Sequence, residues 1–290
     1  MKICLTCHVK FSGSDWTCPS CAFTPPTKGG FVVLAPEMAE GGGGFRPEIF
    51  EQIALLEEKN FWFVARNRLI VWALRRYFPE IGRYLEIGCG TGYVLMGVAQ
   101  AYPLASLVGS EIFSIGLPYA ASRVKSVELI QMDARQIPYV EEFGVIGAFD
   151  VLEHIEEDEL VLRAMWSALR PGGGIAVTVP QHPWLWSAAD ESACHVRRYK
   201  TGELREKVLR AGFKLQFETS FVSLLLPAMV ASRFTKQRIK EGDDSFSELK
   251  LPTWMNRGFE FLMNVERYLI ERGVRFNIGG SRLLIATKEG

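Results

Sequence analysis

The sequence predicts an α/β fold: a seven-stranded, mainly parallel sheet with helices on both faces, preceded by a small metal-binding unit. Two observations support this prediction. Strand-like and helical stretches take turns along most of the 290 residues, an alternation that is typical of parallel sheets. Four of the six cysteines lie within the first 21 residues, a segment too short to bury a hydrophobic core of its own.

The composition is that of a globular protein without a dominant charge. The chain is 48% hydrophobic and 23% charged, and 33 Lys+Arg stand against 33 Asp+Glu. This balance gives no global field that would draw the protein to nucleic acid. The N-terminus has no apolar signal region, and no run reaches the roughly 18 apolar residues of a membrane span. We therefore expect a cytoplasmic protein without a transmembrane segment.

The most apolar stretch is FVSLLLPAMVASRF, residues 221–234. Its short length and its proline favour a core strand followed by a helix. A peripheral contact with a lipid surface is the alternative that its composition leaves open.

The first cysteines have the spacing of a metal site, C-x2-C-x10-C-x2-C, and they are Cys4, Cys7, Cys18 and Cys21. Each C-x-x-C turns two sulfurs toward one point, and two such turns complete the tetrahedron that Zn2+ prefers. Two disulfides or an iron ion are the alternatives, and the expected reducing compartment disfavours disulfides. Because a four-thiolate site has no open position, residues 1–24 are predicted to be a structural zinc ribbon.

Residues 25–44 have the composition of a linker. Two prolines and a run of four glycines surround one short apolar patch, FVVLAP. We therefore predict that the main domain covers residues 45–290. It begins with a helical cap at 45–79, where apolar residues recur three and four positions apart.

After the cap, strand-like and helical segments alternate. Helices are predicted at 92–101, 115–123, 159–170 and 201–211. Strands are predicted at 83–88, 106–112, 127–133, 145–150, 174–180, 214–222 and 282–288. In such a sheet the ligand lies beyond the carboxyl ends of the strands, where the strand order switches.

The first strand ends in a glycine-rich corner, with Gly88, Gly90 and Gly92 in the pattern G-x-G-x-G. Glycines let the backbone turn sharply and admit a ligand against its N–H groups. A dinucleotide-binding fingerprint would need a glycine at position 93, which is Tyr93, and no G-K-[ST] follows for a phosphate loop. Glu86 would repel a pyrophosphate but suits an ammonium group. The corner therefore predicts a nucleoside-like ligand that carries an amine.

Acidic residues recur near four successive strand ends, at Glu86, Glu111, Asp133 and Asp150. A carboxylate at Glu111 can accept both hydroxyls of a ribose, and Asp133 can receive the exocyclic amine of adenine. A single strand-end acid is more often a helix cap or a solvated loop residue. Four acids near successive strand ends indicate that they bind one common ligand.

Five motifs occur in the order seen in class I S-adenosylmethionine-dependent methyltransferases: LEIGCGTG, VGSEI, QMDARQIPY, FDVLEHI and LRPGGGIAVTVP. About residues 80–220 resemble this family, whose Rossmann-like sheet ends in an antiparallel strand that GGSRLLIATKEG fits. Residues 227–280 are not shared by the simplest members. This insertion is expected to form a lid or a wall of the acceptor site.

The resemblance implies a role for each residue of the corner. The glycine loop, with Cys89, would pass beside the methionine part of S-adenosylmethionine, and Glu86 would reach its amine. Glu111 would bind the ribose hydroxyls. The other cofactor positions would be Ile112, Met132, Asp133 and Ala134 around adenine, with Asp133 on N6, and Asp150 and Val151 near the transferred methyl group.

Two further segments look like those of a group of bacterial members. FWFVARNR resembles their W-F-x-x-R helix, which implies that Trp62 and Arg66 cover the cofactor. The stretch 180–204 resembles their D-E…H-x-R-R-Y segment, which implies that its side chains face the acceptor. The candidate acceptor-binding residues are His182, Trp186, Arg197, Arg198 and Tyr199. The alternative is that the tryptophans fill the core and the arginines are solvated.

Methyl transfer from a sulfonium needs alignment and exclusion of water, and a base only when the acceptor must lose a proton. The candidate catalytic residues are His154, His195 and Asp150. The spacing of Asp150, Glu153 and His154 also resembles the divalent-metal site of ubiquinone-pathway O-methyltransferases and small-RNA 2′-O-methyltransferases, which have Glu in place of Asp150. The alternative makes His154 a positioned wall residue.

The sequence thus predicts a methyltransferase that acts on a small-molecule or lipid-linked acceptor, with S-adenosylmethionine as cofactor and structural Zn2+. An RNA acceptor is the alternative, because the ribbon before GFVVLAPE is similar to the N-terminal finger of rRNA guanine methyltransferases. Arg197, Arg198, Lys200 and the stretch RFTKQRIK at 233–240 would then contact phosphates. A cofactor-binding scaffold without catalysis is a further alternative.

Overall fold

Four short strands and two helices precede the alternating part of the fold. In this computed structural model, which describes residues 1–13, 15–40, 49–235 and 251–290, the chain opens with a hairpin of β1 (Lys2–Ile3) and β2 (Lys10–Phe11). Next come β3 (Thr27–Lys28) and β4 (Phe31–Val33). The helices are α1 (Ile49–Leu56) and α2 (Phe61–Tyr77).

The alternation of strands and helices that the sequence predicts is present, with element ends displaced by at most five residues. The elements in chain order are β5 (Arg83–Ile87), α3 (Tyr93–Ala101), β6 (Ser106–Glu111), α4 (Leu117–Arg123), β7 (Val127–Gln131), β8 (Phe143–Phe149), α5 (Asp158–Ala168), β9 (Leu169–Pro180), α6 (Ala188–Ser192), α7 (Glu203–Arg210), β10 (Phe213–Phe221), α8 (Leu226–Thr235), α9 (Thr253–Glu271) and β11 (Ser281–Lys288).

The main sheet has nine strands among the described residues, not the seven predicted. Its order is β10-β11-β9-β8-β5-β6-β7-β4-β3. The central strands are parallel, and β11 runs antiparallel to both neighbours, as the family resemblance implies. The seven predicted strands are β5 to β11, and the two additional ones extend the edge beyond β7.

The additional strands come from the range 25–44 that the sequence analysis assigned to a linker. β4 pairs with β7 in parallel, with Val32 opposite Ile130. The side chain of Gln131 accepts from the backbone N–H of Ala35 and donates to its carbonyl, both at 2.9 Å. The apolar patch FVV therefore satisfies backbone groups that β7 would otherwise leave free at the sheet edge. The sequence analysis assigned this range to a linker because of its glycines and prolines.

The central strands are buried on both faces, as parallel sheets require. Tyr84 lies in one hydrophobic cluster with residues of α2, α3 and α4, whereas its neighbour Leu85 lies in the other cluster with residues of α5 and α7. This strict alternation fixes which residues of β5 face each helical layer. It also holds the carboxyl ends of the strands in register at one edge.

Helix α9, from the predicted insertion, lies along α2. Phe259 meets Phe61 edge to face with ring centroids 5.3 Å apart, and Arg68 donates to Glu260 at 2.7 Å. Near the N-terminus of α9, Asn256 bonds the backbone at the start of α2. The two helices thus form one outer layer beside the sheet. Among the helices described, none is long and apolar enough to cross a bilayer.

The cysteine-bearing hairpin lies at the amino ends of the strands. The N–H of Ile3 donates to the carbonyl of Pro138 at 2.9 Å, and Trp16 meets Tyr139 edge to face at 5.4 Å. Both partners precede β8. The hairpin is therefore separated from the glycine corner by the length of the central strands, about 17 Å for the five residues of β5.

Candidate active site

The strand order switches beside the glycine corner. From β5 the chain moves outward to β6 and β7 and then returns to β8 on the other side of β5. Neighbouring loops therefore leave the sheet in opposite directions and open a crevice at the carboxyl ends. The predicted site residues after β5, β6, β7 and β8 all lie along this edge.

The three glycines of the corner have left-handed φ angles of +63°, +54° and +79°. A Cβ at Gly88 would lie 2.5 Å from a methyl of Val151, and one at Gly92 would lie 2.8 Å from the Cα of Ala120. At Gly90 no heavy atom of the described residues, apart from its two chain neighbours, lies within 4 Å of that position. The outer glycines thus permit close packing, while the middle one leaves a backbone surface open to a ligand.

Glu111, at the end of β6, organises the glycine loop. Its carboxylate accepts the N–H groups of Gly90 and Ile112, both at 2.9 Å. Burial raises the pKa of this carboxyl above its ordinary value. Because a carboxylate offers about four lone-pair sites, it retains acceptor capacity toward the hydroxyls of a ligand.

Glu86 is a buried acid in β5, only 2% exposed. The hydroxyl of Tyr84 donates to it at 3.1 Å, and burial raises its pKa to about 8. A cation at this position would stabilise the carboxylate that burial disfavours. The site thus fits the ammonium group that the sequence predicts there.

Asp133 caps a short 3-10 helix, Ala134–Gln136, after β7. Its carboxylate accepts the N–H of Arg135 at 2.9 Å and pairs with the guanidinium of the same residue. The helix-cap alternative is therefore present in the structure, and a contact of Asp133 with adenine stays a prediction. Met132 and Ala134 are buried beside it.

Asp150 joins the cap helix to the end of β8. Its carboxylate lies 2.6 Å from the guanidinium of Arg66 in α2, and the hydroxyl of Thr178 donates to it at 3.1 Å. Arg66 also lies over the ring of Trp62, 4.9 Å from its centroid. Asp150 has a left-handed φ of +56°, a strained conformation for a non-glycine residue that often occurs at functional sites.

A further link, between the helical cap and the glycine loop, was not expected from the sequence. Glu57, after α1, is buried and accepts from the hydroxyl of Thr91 at 2.5 Å. Arg123, in α4, pairs with Glu57 and donates to Thr91. The sequence offers no signal for this triad, because its members lie in three unrelated segments.

Beside Asp150 lies a cluster of Glu153, His154 and His195, whose ligand atoms all lie within 4.8 Å of one another. Glu153 is fully buried, and neither of its carboxylate oxygens has a hydrogen-bond partner in the described ranges. Burial, followed by the charge of Asp150, raises its pKa well above the ordinary range. Burial lowers the pKa of His154 to about 4, so this imidazole is neutral near pH 7.

The cluster differs from the metal triad that the sequence suggested. His195 takes the place of Asp150, which is paired with Arg66 instead. One carboxylate and two imidazoles are ligands of the kind that divalent transition metals prefer. Within the described chain, this cluster and the four cysteines are the groups whose donor atoms could hold a metal.

His195 is held by a buried acid, Asp190. Its Nδ1 lies 2.9 Å from Asp190, and its Nε2 lies 3.9 Å from Glu153. Arg198 donates to the same oxygen of Asp190 at 2.7 Å. The predicted acceptor residue Arg198 therefore fixes the support of His195, and its guanidinium is buried.

Other predicted acceptor residues are engaged within the protein. Arg197 pairs with Asp158 at 2.8 Å, and the hydroxyl of Tyr199 donates to Asp158 at 2.6 Å. His182 stacks with Trp184, and its buried Nε2 finds no hydrogen-bond partner in the part of the chain that the structure describes. Trp186 is 38% exposed. Of the five, His182 and Trp186 thus retain groups that a ligand could meet.

Comparison with known proteins finds similarity in the strands that carry this site. Residues 85–173 match the family model described as a methyltransferase domain. In these residues the chain is similar to a methyltransferase domain, the name used below for this part of the fold. Over 164 residues the chain is 24% identical to a probable S-adenosylmethionine-dependent methyltransferase of Mycolicibacterium smegmatis. The aligned region makes up 56% of this chain and 62% of that protein.

A second relative and a solved structure are also similar to this chain. A demethylmenaquinone methyltransferase of Roseiflexus castenholzii is 32% identical over 115 residues, 37% of this chain and 48% of that protein. The chain thus spans less than two thirds of the length of both relatives. The crystal structure of the [4+2]-cyclase SpnF has the same fold, with a TM-score of 0.53 at 22% identity over 79% of this chain and 82% of that chain.

The methyltransferase domain is accompanied by a cysteine cluster whose geometry fits zinc. The Sγ atoms of Cys4 and Cys21 lie 3.6 Å apart, and those of Cys7 and Cys18 lie 3.5 Å apart. Four sulfurs bound at about 2.3 Å to one tetrahedral Zn2+ would be separated by about 3.8 Å. A disulfide would need about 2.05 Å, and all four cysteines are free.

Two residues of the candidate site were not among the sequence-based candidates. Asp190 orients His195, and Asp158 binds both Arg197 and Tyr199. Asp190 had a recognisable signal, because Ser187 and Asp190 form a capping box at the start of α6. A capping residue buried at 1% exposure can support a functional side chain as well as a helix.

Proposed function

We propose that the protein is an S-adenosylmethionine-dependent methyltransferase that acts on a small-molecule or lipid-linked acceptor. The observation that carries this proposal is the open backbone of Gly90 between the buried carboxylates of Glu86 and Glu111. This corner can receive an ammonium group and a ribose, whereas a dinucleotide pyrophosphate would bring negative charge beside buried acids whose ionised form only a cation stabilises.

The bound cofactor would supply an electrophilic methyl group, and the residues of the corner would align it. Glu86 would hold the amine, Glu111 would accept the ribose hydroxyls, and Met132 and Ala134 would line the adenine position. Ile112 and Asp133 lie at the same strand ends. The glycine loop is fixed by Glu111 and by the Glu57–Thr91–Arg123 triad. Cofactor binding should therefore cost little conformational entropy in this loop.

The cap helix excludes water from the methyl position. Arg66 pairs with Asp150 in a largely buried ion pair, and its guanidinium lies over the ring of Trp62. Because this pair neutralises Asp150, we assign it to positioning the cap and not to proton transfer. Exclusion of water is the main protein contribution to transfer from a sulfonium.

For an acceptor that must lose a proton, His195 is the favoured base. Asp190 holds its Nδ1 and leaves Nε2 directed toward the Glu153 side, the arrangement that orients an imidazole for proton transfer. His154 is the weaker candidate, because a pKa of about 4 makes it a poor proton acceptor. His182 and Trp186 lie in the same loop and are assigned to the acceptor wall.

The RNA alternative is less well supported. The ribbon lies at the amino ends of the strands, about 17 Å from the glycine corner. Arg197 and Arg198 are engaged by Asp158 and Asp190, and most of the stretch 233–240 lies outside the described residues. We assign Zn2+ at Cys4, Cys7, Cys18 and Cys21 to holding the ribbon fold.

Titration calorimetry with S-adenosylmethionine, S-adenosylhomocysteine and NAD tests the proposal. We expect both sulfur nucleosides to bind and NAD not to bind. Glu111→Gln should weaken binding about tenfold, because it removes the charge that accepts the ribose hydroxyls. The exposed Glu80→Gln, on the loop before β5, is the matched control and should bind normally. Binding of NAD, or of neither nucleoside, would contradict the assignment.

Catalysis is tested separately by a scan for labelled methyl transfer into lipid, small-metabolite and RNA fractions. Transfer into the lipid or metabolite fraction is the expected result. Transfer into RNA alone would favour the RNA alternative. Tight cofactor binding with no transfer into any fraction would favour the non-catalytic scaffold.

A further inference from the structure

The outer face of α9 exposes a line of aromatic side chains. Trp254, Phe261 and Tyr268 are 73%, 67% and 50% exposed. They are seven residues apart, which is close to two helical turns, so they lie in one row along the helix. The neighbouring Leu262 is 37% exposed. We call this row, from Trp254 to Tyr268, the aromatic stripe.

The stripe belongs to a wider concentration of exposed apolar groups. Seven of the 18 large apolar side chains exposed in the described chain lie between residues 224 and 278. One of them, Leu224, is joined to α9 because Glu266 accepts the N–H groups of Ser223 and Leu224 at 2.7 Å each. Contiguous exposed apolar groups on a water-soluble surface mark an interaction site more often than single ones do.

The opposite face of α9 is already satisfied by the protein. Met263, Glu266 and Ile270 are buried, and Phe259 and Glu260 contact α2. The stripe is therefore the face that remains available to a partner. It is not needed for the packing of α9 on the domain.

The charges beside the stripe are basic. Arg257 and Arg272 are exposed, and neither forms an ion pair in the described residues. Arg272 lies 4.8 Å from the ring centroid of Tyr268. The acids of this helix are engaged elsewhere: Glu260 pairs with Arg68, Glu266 accepts backbone N–H groups, and Glu271 pairs with Arg267. Within the part of the chain that the structure describes, the exposed face thus presents aromatic side chains together with two arginines that form no ion pair.

We propose that the aromatic stripe docks the protein on the surface of an anionic phospholipid bilayer. Trp and Tyr have an apolar ring and a polar group, a combination suited to the headgroup region, and Arg257 and Arg272 complement anionic headgroups. A lipid surface explains both features, whereas a purely apolar protein groove would leave the two guanidinium groups without a partner.

The orientation of α9 places this surface beside the candidate site. The N-terminal part of α9 is tied to the start of α2 by Asn256, which accepts the N–H of Phe61 and donates to the carbonyl of Lys59, both at 2.9 Å. Five residues after Phe61, Arg66 contacts Asp150. The Trp254 end of the stripe is therefore at the same edge as the carboxyl ends of the strands. Docking does not depend on methyl transfer and is testable without cofactor.

Co-sedimentation of the full chain with vesicles tests the proposal. We expect binding to vesicles of phosphatidylcholine mixed with phosphatidylglycerol and much weaker binding to phosphatidylcholine alone. Trp254→Ala/Phe261→Ala/Tyr268→Ala should reduce binding to the mixed vesicles at least about tenfold. Arg257→Glu/Arg272→Glu should reduce it on the mixed vesicles, and high salt should do the same to the native protein.

The matched control is Leu104→Ala/Leu160→Ala/Leu209→Ala, which removes three exposed apolar side chains away from α9 and should bind like the native protein. Thermal unfolding of every variant checks that the fold is retained. Equal binding to both vesicle types, no binding, or binding that survives the aromatic triple substitution would overturn the proposal. A dimer in light scattering that this substitution makes monomeric would overturn it in favour of self-association. Calorimetry with S-adenosylmethionine reports the cofactor site independently.

Discussion

At the residue scale, burial determines the chemistry of the acids around the glycine corner. Glu86, Glu111 and Glu153 are all buried, and desolvation is the largest cause of the raised pKa of each. They differ in their side-chain partners. The Glu111 carboxylate accepts two backbone N–H groups at 2.9 Å, whereas the Glu153 carboxylate has no hydrogen-bond partner among the described residues. Although both are buried, Glu111 is therefore arranged to accept hydroxyl groups, whereas Glu153 requires a proton or a cation to offset the cost of burying its charge.

Glu86 should release a proton when the cofactor binds. With a pKa of about 8, it is mostly protonated in the free protein at pH 7, and an ammonium beside it favours the carboxylate. Calorimetry at pH 7 in two buffers of different ionisation enthalpy should therefore detect proton release. Glu86→Gln should abolish the release and weaken binding. Identical apparent enthalpies for the native protein in both buffers would argue against this role.

The same shift has a consequence for stability without ligand. The folded state holds the Glu86 proton up to about pH 8, whereas the unfolded chain loses it near the ordinary pKa of about 4.3. The folded state thus binds more protons between these values, so the free energy of unfolding should fall as pH rises from 5 to 8. Urea denaturation across this range should show a smaller fall for Glu86→Gln than for the native protein.

At the element scale, α2 connects the site to the rest of the outer layer. Its inner side places Arg66 on Asp150, and its outer side places Arg68 on Glu260 of α9. The two arginines are two residues apart but differ in burial, with side-chain exposures of 7% and 48%. One helix therefore carries one buried ion pair that shapes the site and one exposed pair that joins it to α9.

The two pairs should differ in their contribution to stability. Arg66→Met leaves Asp150 without its buried partner and should lower the free energy of unfolding by about 3 kcal/mol. Arg68→Met, the matched control on the same helix, should cost less than about 1 kcal/mol, because water and salt screen an exposed pair. Urea denaturation measures both. Losses of similar size would contradict the assignment of Arg66 to a buried structural role.

At the scale of the whole molecule, the two ends of the central strands have separate tasks. The carboxyl ends carry the glycine corner and the acids, while the amino ends hold the ribbon through Ile3 and Trp16. The N-terminal ammonium also pairs with Glu142, which in turn pairs with Arg83 at the start of β5. These contacts favour a role of the ribbon in stabilising the sheet over contact with the acceptor.

Loss of zinc should therefore affect stability and leave cofactor affinity nearly unchanged. Chelation, or Cys4→Ser/Cys18→Ser, should lower Tm by about 5–10 °C, because the ribbon segment would lose its fold and its packing on Tyr139. The dissociation constant for S-adenosylmethionine should change by less than about threefold. Cys194→Ser, a half-buried thiol outside the ribbon, is the control. A large loss of affinity at constant Tm would contradict the separation of tasks.

The sequence by itself determined the elements whose signals are local. The seven alternating strands, the glycine corner, the strand-end acids and the cysteine spacing depend on residues that are close in the chain, and the structure contains each of them. The methyltransferase domain could be predicted from these motifs for the same reason.

Only the tertiary structure decided which distant residues share a partner. The edge strands in 25–44 depend on free backbone groups of β7, which no property of that segment reveals. From the sequence, Asp150 was a candidate metal ligand and a candidate neighbour of the transferred methyl group. In the structure it pairs with Arg66, which lies 84 residues earlier in the chain, and His195 takes its place beside Glu153. Such long-range pairings are fixed by packing and by the compensation of buried charge, and local pattern carries no information about either.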